Sequence, residues 1–119
     1  MAEESSGYTT GHVRRKYLDL ANMYYAQGSY PIAERFVNDF IGTIPEDKPA
    51  AKKIRDEFNK IAAKKRKEIG ELERYVESLG YLEKKDVMTD GRSNIEINAI
   101  HDKMVASWII AEKESLFND

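Results

Sequence analysis

Two histidines and a neighbouring carboxylate are the residues of this chain best suited to acid–base or metal chemistry. His12 lies in a polar N-terminal stretch, and His101 is followed directly by Asp102. Two ligands of one metal on a helix are three or four residues apart, because adjacent residues point to different sides. The sequence also contains no cysteine, which excludes a thiol nucleophile, a cysteine metal site and a disulfide. We therefore predict no catalytic residues, no metal and no cofactor, and a protein that is not an enzyme.

The segment from Asp86 to Ile97 contains Asp90-Gly91 near its centre, as calcium-binding loops do. Such loops need an oxygen ligand at the third position and a bidentate glutamate at the twelfth. Met88 and Ile97 occupy those positions, so a calcium site is excluded. The sequence also contains no phosphate-cradling glycine loop and no nucleophile elbow. Binding, rather than catalysis, is the function that these residues favour.

Composition indicates one small helical domain. The chain has 119 residues, of which 41% are hydrophobic and 34% charged, so it can bury a modest core while part of its helix surface stays solvated. Its net charge of -2 gives no general attraction to nucleic acid or to a membrane. No apolar run approaches the roughly 20 residues of a membrane span, and we predict a cytoplasmic protein. Residues 1–12 are predicted to form a flexible N-terminal tail, and residues 13–119 a single helical domain.

Residues 17–45 combine bulky, small and turn-forming residues in a pattern that predicts two short antiparallel helices. The pattern consists of Tyr17, Leu20, Ala21 and Tyr24 in the first helix, Gly28 in the turn, Tyr30 and Ala33 in the second helix, and Pro45 at the end. Gly28 falls where the first helix must end in a left-handed residue, and the alanines allow the helices to approach closely. The segment resembles one tetratricopeptide repeat. That resemblance implies an all-α scaffold for protein contacts.

The resemblance also implies a partner-binding groove on the inner face of the first helix. The residues lining that face would be Arg15, Leu18, Asn22 and Tyr25, and the partner would be a protein or peptide. Trp108 is predicted to be either a core anchor or an interface hot spot. The alternative is that Leu18 and Tyr25 are covered by the last helix of the same chain.

Two further helices are predicted after Pro45. Apolar residues recur at threes and fours from Ala50 to Leu79, and Gly80 ends this long helix. Tyr81 to Asn94 is predicted to be a connection that turns at Thr89-Asp90-Gly91. A C-terminal helix then ends at Phe117. The predicted fold is all-α, with a helical hairpin, a long helix and a C-terminal helix, about four helices in all.

Charge on the long helix is polarised, because its first half is basic and its second half acidic. An antiparallel second copy would place basic half against acidic half, as in a coiled coil. We therefore predict a homo-oligomer through this helix. The predicted self-association residues are Lys64, Lys65, Lys67, Glu71, Leu72 and Val76. The alternative is that these charges form a solvated face, since exposed ion pairs contribute little.

Residues 79–97 support an alternative function. They resemble the hairpin of winged-helix regulators of the multiple-antibiotic-resistance type. One strand would span Leu79–Glu83, the tip Asp90–Arg92 and the second strand Ile95–Ile97. The resemblance implies a small DNA-binding regulator in which Arg92 reaches the minor groove. The main hypothesis is an adaptor or assembly module. Strands across this segment would favour the DNA-binding regulator, and helix or loop would favour the adaptor.

Overall fold

The computed structural model describes residues 9–118, and the side chains of all of these except 81–92. Within that range the chain forms four α-helices and a short 3-10 helix, and no strand. The elements are α1 (Thr10–Ala26), α2 (Tyr30–Gly42), α3 (Pro49–Glu77), α4 (Tyr81–Lys113) and the 3-10 helix (Leu116–Asn118). The predicted all-α fold with about four helices is confirmed.

Helix α1 begins inside the segment that we predicted to be a tail. Thr9 is its N-cap, and the Thr9 side-chain oxygen accepts a hydrogen bond from the His12 backbone N–H at 3.1 Å. This bond satisfies one of the free N–H groups at the start of the helix. The tail prediction is therefore wrong for Thr10 to His12. Residues 1–8 lie outside the described part of the chain.

The turn between α1 and α2 depends on Gly28, whose φ is 83°. The Gly28 N–H donates to the Tyr25 carbonyl at 3.0 Å, and the Ser29 N–H donates to the Tyr24 carbonyl at 2.9 Å. These two bonds form a Schellman motif, which requires a left-handed residue at the Gly28 position. The left-handed turn predicted at Gly28 is thus observed.

Two hydrophobic clusters hold the α1–α2 hairpin against α3 and α4. The first contains Leu18, Phe40, Ile44, Ala50, Ala51, Ile54, Ala111 and Leu116. The second contains Ala21, Ala33, Val37, Ile100 and Met104. Ala21 and Ala33 are both fully buried, as close approach of the two short helices requires. Phe58 of α3 packs against both clusters and joins them into one core.

Helices α3 and α4 form a long antiparallel hairpin with only residues 78–80 between them. The connection predicted from Tyr81 to Asn94 is therefore wrong, because these residues belong to α4. The strands predicted within residues 79–97 are wrong for the same reason. A glycine inside a helix costs about 1 kcal/mol relative to alanine, a penalty that packing along a neighbouring helix can exceed. Thr89-Asp90-Gly91 lies within α4, so the turn that it predicted does not form.

Arg14 joins the start of α1 to two segments that are distant in sequence, the end of α2 and the C-terminal 3-10 helix. It is 2% exposed, and its guanidinium donates to the Thr43 hydroxyl at 3.2 Å, the Thr43 carbonyl at 3.0 Å and the Leu116 carbonyl at 3.1 Å. Thr43 is the C-cap of α2, where carbonyl groups create a partial negative charge. The buried charge is thereby solvated by backbone oxygens, and the 3-10 helix is fixed to the core.

We expect Arg14→Ala to lower the free energy of unfolding by about 3 kcal/mol, because buried carbonyls would lose charged donors. The matched control is Arg15→Ala, which removes an exposed guanidinium and should cost about 1 kcal/mol or less. Urea denaturation followed by circular dichroism measures both values. Equal losses in the two variants would contradict the role of Arg14.

Two glycine substitutions should have opposite effects. Gly70 lies within α3, and a Cβ there would be 3.9 Å from an Arg74 guanidinium nitrogen, an ordinary contact. Gly70→Ala should therefore raise the free energy of unfolding by up to about 1 kcal/mol. Gly28→Ala should lower it by about 1 kcal/mol, because alanine is strained at positive φ. Thermal denaturation of both variants checks the signs, and a stabilising Gly28→Ala would rule out the strained turn.

Candidate protein interface

A groove of about 780 Å³ runs between α3 and α4. Its floor is aliphatic and consists of Ile61, Val105, Ala106, Ile109 and Ile110. Its rims are charged and consist of Lys53, Asp56, Glu57, Lys60 and Lys64 on one side and Asp102, Lys113 and Glu114 on the other. Helical periodicity puts Val105 and Ile109 on a different side of α4 from Ile100 and Met104, which pack against the α1–α2 hairpin. We call this feature the α3–α4 groove.

The floor of the groove exposes large aliphatic side chains to solvent. Ile109 is 52% exposed and Val105 is 41% exposed. They are four residues apart, so they are neighbours on one side of α4. Together they form a small apolar patch framed by charged residues.

Two ion pairs lie on the rims of the groove. Lys53 Nζ lies 2.7 Å from Glu114 Oε2 and links α3 to the end of α4. Lys60 Nζ lies 3.3 Å from Glu57 Oε1 along α3. In total, four lysines and four carboxylates line the α3–α4 groove, so its formal charge is balanced. The charged residues of the groove therefore give it no net formal charge.

The α3–α4 groove continues towards the hairpin turn. A smaller pocket of about 60 Å³ shares Ile61, Lys64 and Asp102 with it and extends to Ile95 and Asn98.

The structure covers much of the α1 face on which we predicted partner contacts. Leu18 is fully buried in the core with Ala111 and Leu116, so it offers no surface to a partner. Tyr25 is half-buried, and its hydroxyl donates to the Ile97 carbonyl of α4 at 3.5 Å. This arrangement agrees with the alternative stated above, in which the last helix of the same chain covers Leu18 and Tyr25. Asn22 is exposed on α1.

Arg15 and Trp108, both predicted as partner-binding residues, lie next to each other. The Arg15 guanidinium carbon is 5.9 Å from the Trp108 ring centroid and 5.5 Å from the Phe117 ring centroid. The Trp108 and Phe117 rings are 5.3 Å apart, and Trp108 is half-buried. Trp108 thus anchors the C-terminal 3-10 helix while keeping some exposed surface.

The predicted self-association residues follow α3 towards the turn. Lys64, Lys67 and Glu71 are exposed, whereas Lys65 and Leu72 are half-buried. Val76 is fully buried within the chain, and α4 is the antiparallel partner of α3. Part of the apolar stripe of α3 is therefore covered by the chain itself, and Val76 has no exposed surface for a second copy.

The predicted DNA-contacting residue, Arg92, belongs to α4 rather than to a hairpin tip. Its side chain lies outside the described atoms. The wing on which the DNA-binding alternative depended is a helix, so the structure gives that alternative no hairpin.

Sequence reasoning missed Arg14 and the outer side of α4. The sequence did contain a signal for the outer side of α4. Val105 and Ile109 are four residues apart and are out of phase with the stripe formed by Ile100 and Met104. Two apolar stripes on one helix indicate two packing surfaces. Arg14 had no comparable signal, since its acceptors are 29 and 102 residues away.

Comparison of the chain with protein-family models, with curated proteins and with solved structures gives no match. The tetratricopeptide-like character of the first hairpin therefore stays a prediction. Among the described residues, no group of three or more histidines, cysteines or carboxylates is placed to hold a metal ion. No described helix combines the length and the apolar character needed to cross a bilayer.

Burial in the protein raises the pKa of Tyr25, and the nearby Tyr30 and Asp102 raise it further. The unfolded chain therefore loses this proton first as the pH rises above about 10. The contribution of protonated Tyr25 to the unfolding free energy is complete below that pH. It is lost as the pH rises through the raised pKa of the folded state. We expect the unfolding free energy of the wild type to fall more steeply above pH ~10 than that of Tyr25→Phe.

Urea denaturation at a series of pH values tests this expectation. Tyr75→Phe is the matched control, because it removes a phenolic hydroxyl from a side chain that is 59% exposed. Parallel pH profiles for the wild type and Tyr25→Phe would contradict the assignment.

Proposed function

We propose that the chain is a non-enzymatic adaptor or assembly module that binds a helix of another polypeptide in the α3–α4 groove. The observation that supports this most directly is the pair of exposed aliphatic residues, Val105 at 41% and Ile109 at 52%, between two charged rims. Adaptor function also fits the tetratricopeptide-like hairpin of the sequence hypothesis. The cysteine-free composition suits the cytoplasmic location that belongs to this proposal.

The shape of the groove favours a helical occupant. Its walls are two antiparallel helices, and between Lys53 and Lys64 it extends about 16 Å, or three helical turns. An amphipathic helix presents aliphatic residues every three or four positions, which matches the spacing of Val105 and Ile109. An extended peptide would find no free strand edge in the described part of the chain with which to pair its backbone.

Burial of the groove floor would supply part of the affinity. Complete burial of a valine or isoleucine side chain contributes about 1.5–3 kcal/mol, so two half-exposed side chains together can add about 2 kcal/mol. The rim charges would then set the orientation of the occupant. The exposed Arg15 and the half-buried Trp108 form a second contact point within the same proposal.

Site-specific photo-crosslinking in cells that naturally express the chain tests the proposal. A benzophenone side chain replacing Val105 should form covalent protein adducts. The same group replacing Ile32, which is 40% exposed on α2, should not. Adding Ile109→Glu should reduce the adducts at position 105 by about tenfold or more, because a carboxylate would be buried against the partner.

Circular dichroism of each purified variant confirms that the fold is retained. Equal adduct formation at positions 105 and 32 would contradict the proposal, as would adducts that Ile109→Glu leaves unchanged.

A further inference from the structure

We infer that the occupant of the α3–α4 groove is α4 of a second copy of this chain, running antiparallel to the first. This inference rests on the proposed function, because it names the partner of the same groove. It also moves self-association from the apolar stripe of α3 to the outer side of α4.

The order of residues on the outer side of α4 supports antiparallel self-pairing. An acid, Asp102, stands at the N-terminal end of the groove and a base, Lys113, at the C-terminal end, with aliphatic side chains between them. A two-fold axis passing between Ser107 and Trp108 would bring Lys113 of each copy to the level of Asp102 of the other. Both end pairs are then of opposite charge.

The same axis also matches the aliphatic centre with itself. Val105 comes to the level of Ile110 of the second copy, and Ala106 comes to the level of Ile109. Each pair combines a smaller side chain with a larger one, which helps two helices to interdigitate. All four residues line the groove, so the pairing buries its floor from both sides.

The two charges that the pairing uses are accessible. Lys113 is exposed, and it forms no salt bridge within the described chain. The neighbouring Glu114 is already held by Lys53 at 2.7 Å. Asp102 has a side chain that is 46% exposed, and His101 Nδ1 is the one basic atom of the described residues that lies within 4 Å of it, at 3.9 Å. A second copy can therefore reach both groups without breaking a short ion pair.

Charge balance distinguishes a second copy from a strongly charged partner. The groove is lined by four lysines and four carboxylates. A surface with an excess of one sign would repel its own copy, whereas a balanced one does not. A two-fold contact is also isologous, so both grooves are filled at once and the assembly closes as a dimer.

Charge exchange tests the inference, with sedimentation equilibrium of the purified full chain as the measurement. The wild type should dimerise in the micromolar range. Asp102→Lys alone and Lys113→Asp alone should each weaken the dimer about tenfold or more, because symmetry turns two attractive pairs into repulsive ones. The double variant should recover the wild-type dissociation constant to within about threefold.

A mixture of the two single variants gives the sharpest result. The Asp102→Lys chain carries a base at both ends of the groove, and the Lys113→Asp chain carries an acid at both ends. A mixed dimer of the two chains therefore has both end pairs of opposite charge. An equimolar mixture should dimerise about as strongly as the wild type, although each variant alone does not. A merely structural effect of either substitution would not produce this rescue.

Several outcomes would overturn the inference. A wild type that stays monomeric up to about 200 µM, well above the micromolar range expected here, would exclude the second copy. So would single variants that dimerise normally, or a mixture without rescue. Photo-adducts at position 105 that contain only a different protein would reject self-pairing but uphold the proposed function. The absence of any adduct there would reject both.

Discussion

Helix α4 has apolar side chains on more than one side. Each of these sides needs cover from water, and that need determines where the other helices are placed. Ile100 and Met104 are 7% and 4% exposed because the α1–α2 hairpin covers them. Helix α3 runs antiparallel beside α4 and covers a second side. The α1 and α2 helices have 17 and 13 residues, whereas α4 has 33, so the short hairpin covers only part of the long one. The aliphatic residues that remain open form the α3–α4 groove.

The core is closed by a polar interaction rather than by hydrophobic packing alone. Ser115 adopts a φ of 57°, which turns the chain back after α4 and brings Leu116 into the core. A carbonyl buried at that point needs a donor. Arg14 supplies it and binds the C-cap of α2 with the same guanidinium. The start of α1 and the end of the chain are therefore fixed together, and Trp108 is held beside them through Phe117.

Features that depend on local sequence were predictable, and features that depend on distant contacts were not. Gly28 specified its turn because the requirement for a positive φ acts within a few residues. Gly80 marked the boundary after α3 without such a requirement, since its φ is -73°. Thr89-Asp90-Gly91 misled the sequence analysis, because a local turn preference of about 1 kcal/mol is smaller than the gain from packing two long helices. Leu18 was predicted to face a partner and instead faces the core. The sequence cannot separate the two cases, because both kinds of apolar residue have the same helical spacing.

The location of the self-association surface follows from the same distinction. The basic first half and acidic second half of α3 favour an antiparallel partner helix. The residue order of α3 does not indicate whether that helix belongs to the same chain or to a second copy. The structure supplies one internally as α4, which leaves Val76 without exposed surface. What a second copy can still reach is the outer side of α4, where burial of Val105 and Ile109 would give affinity. Charge there has a separate role, because an acid at one end and a base at the other favour only the antiparallel direction.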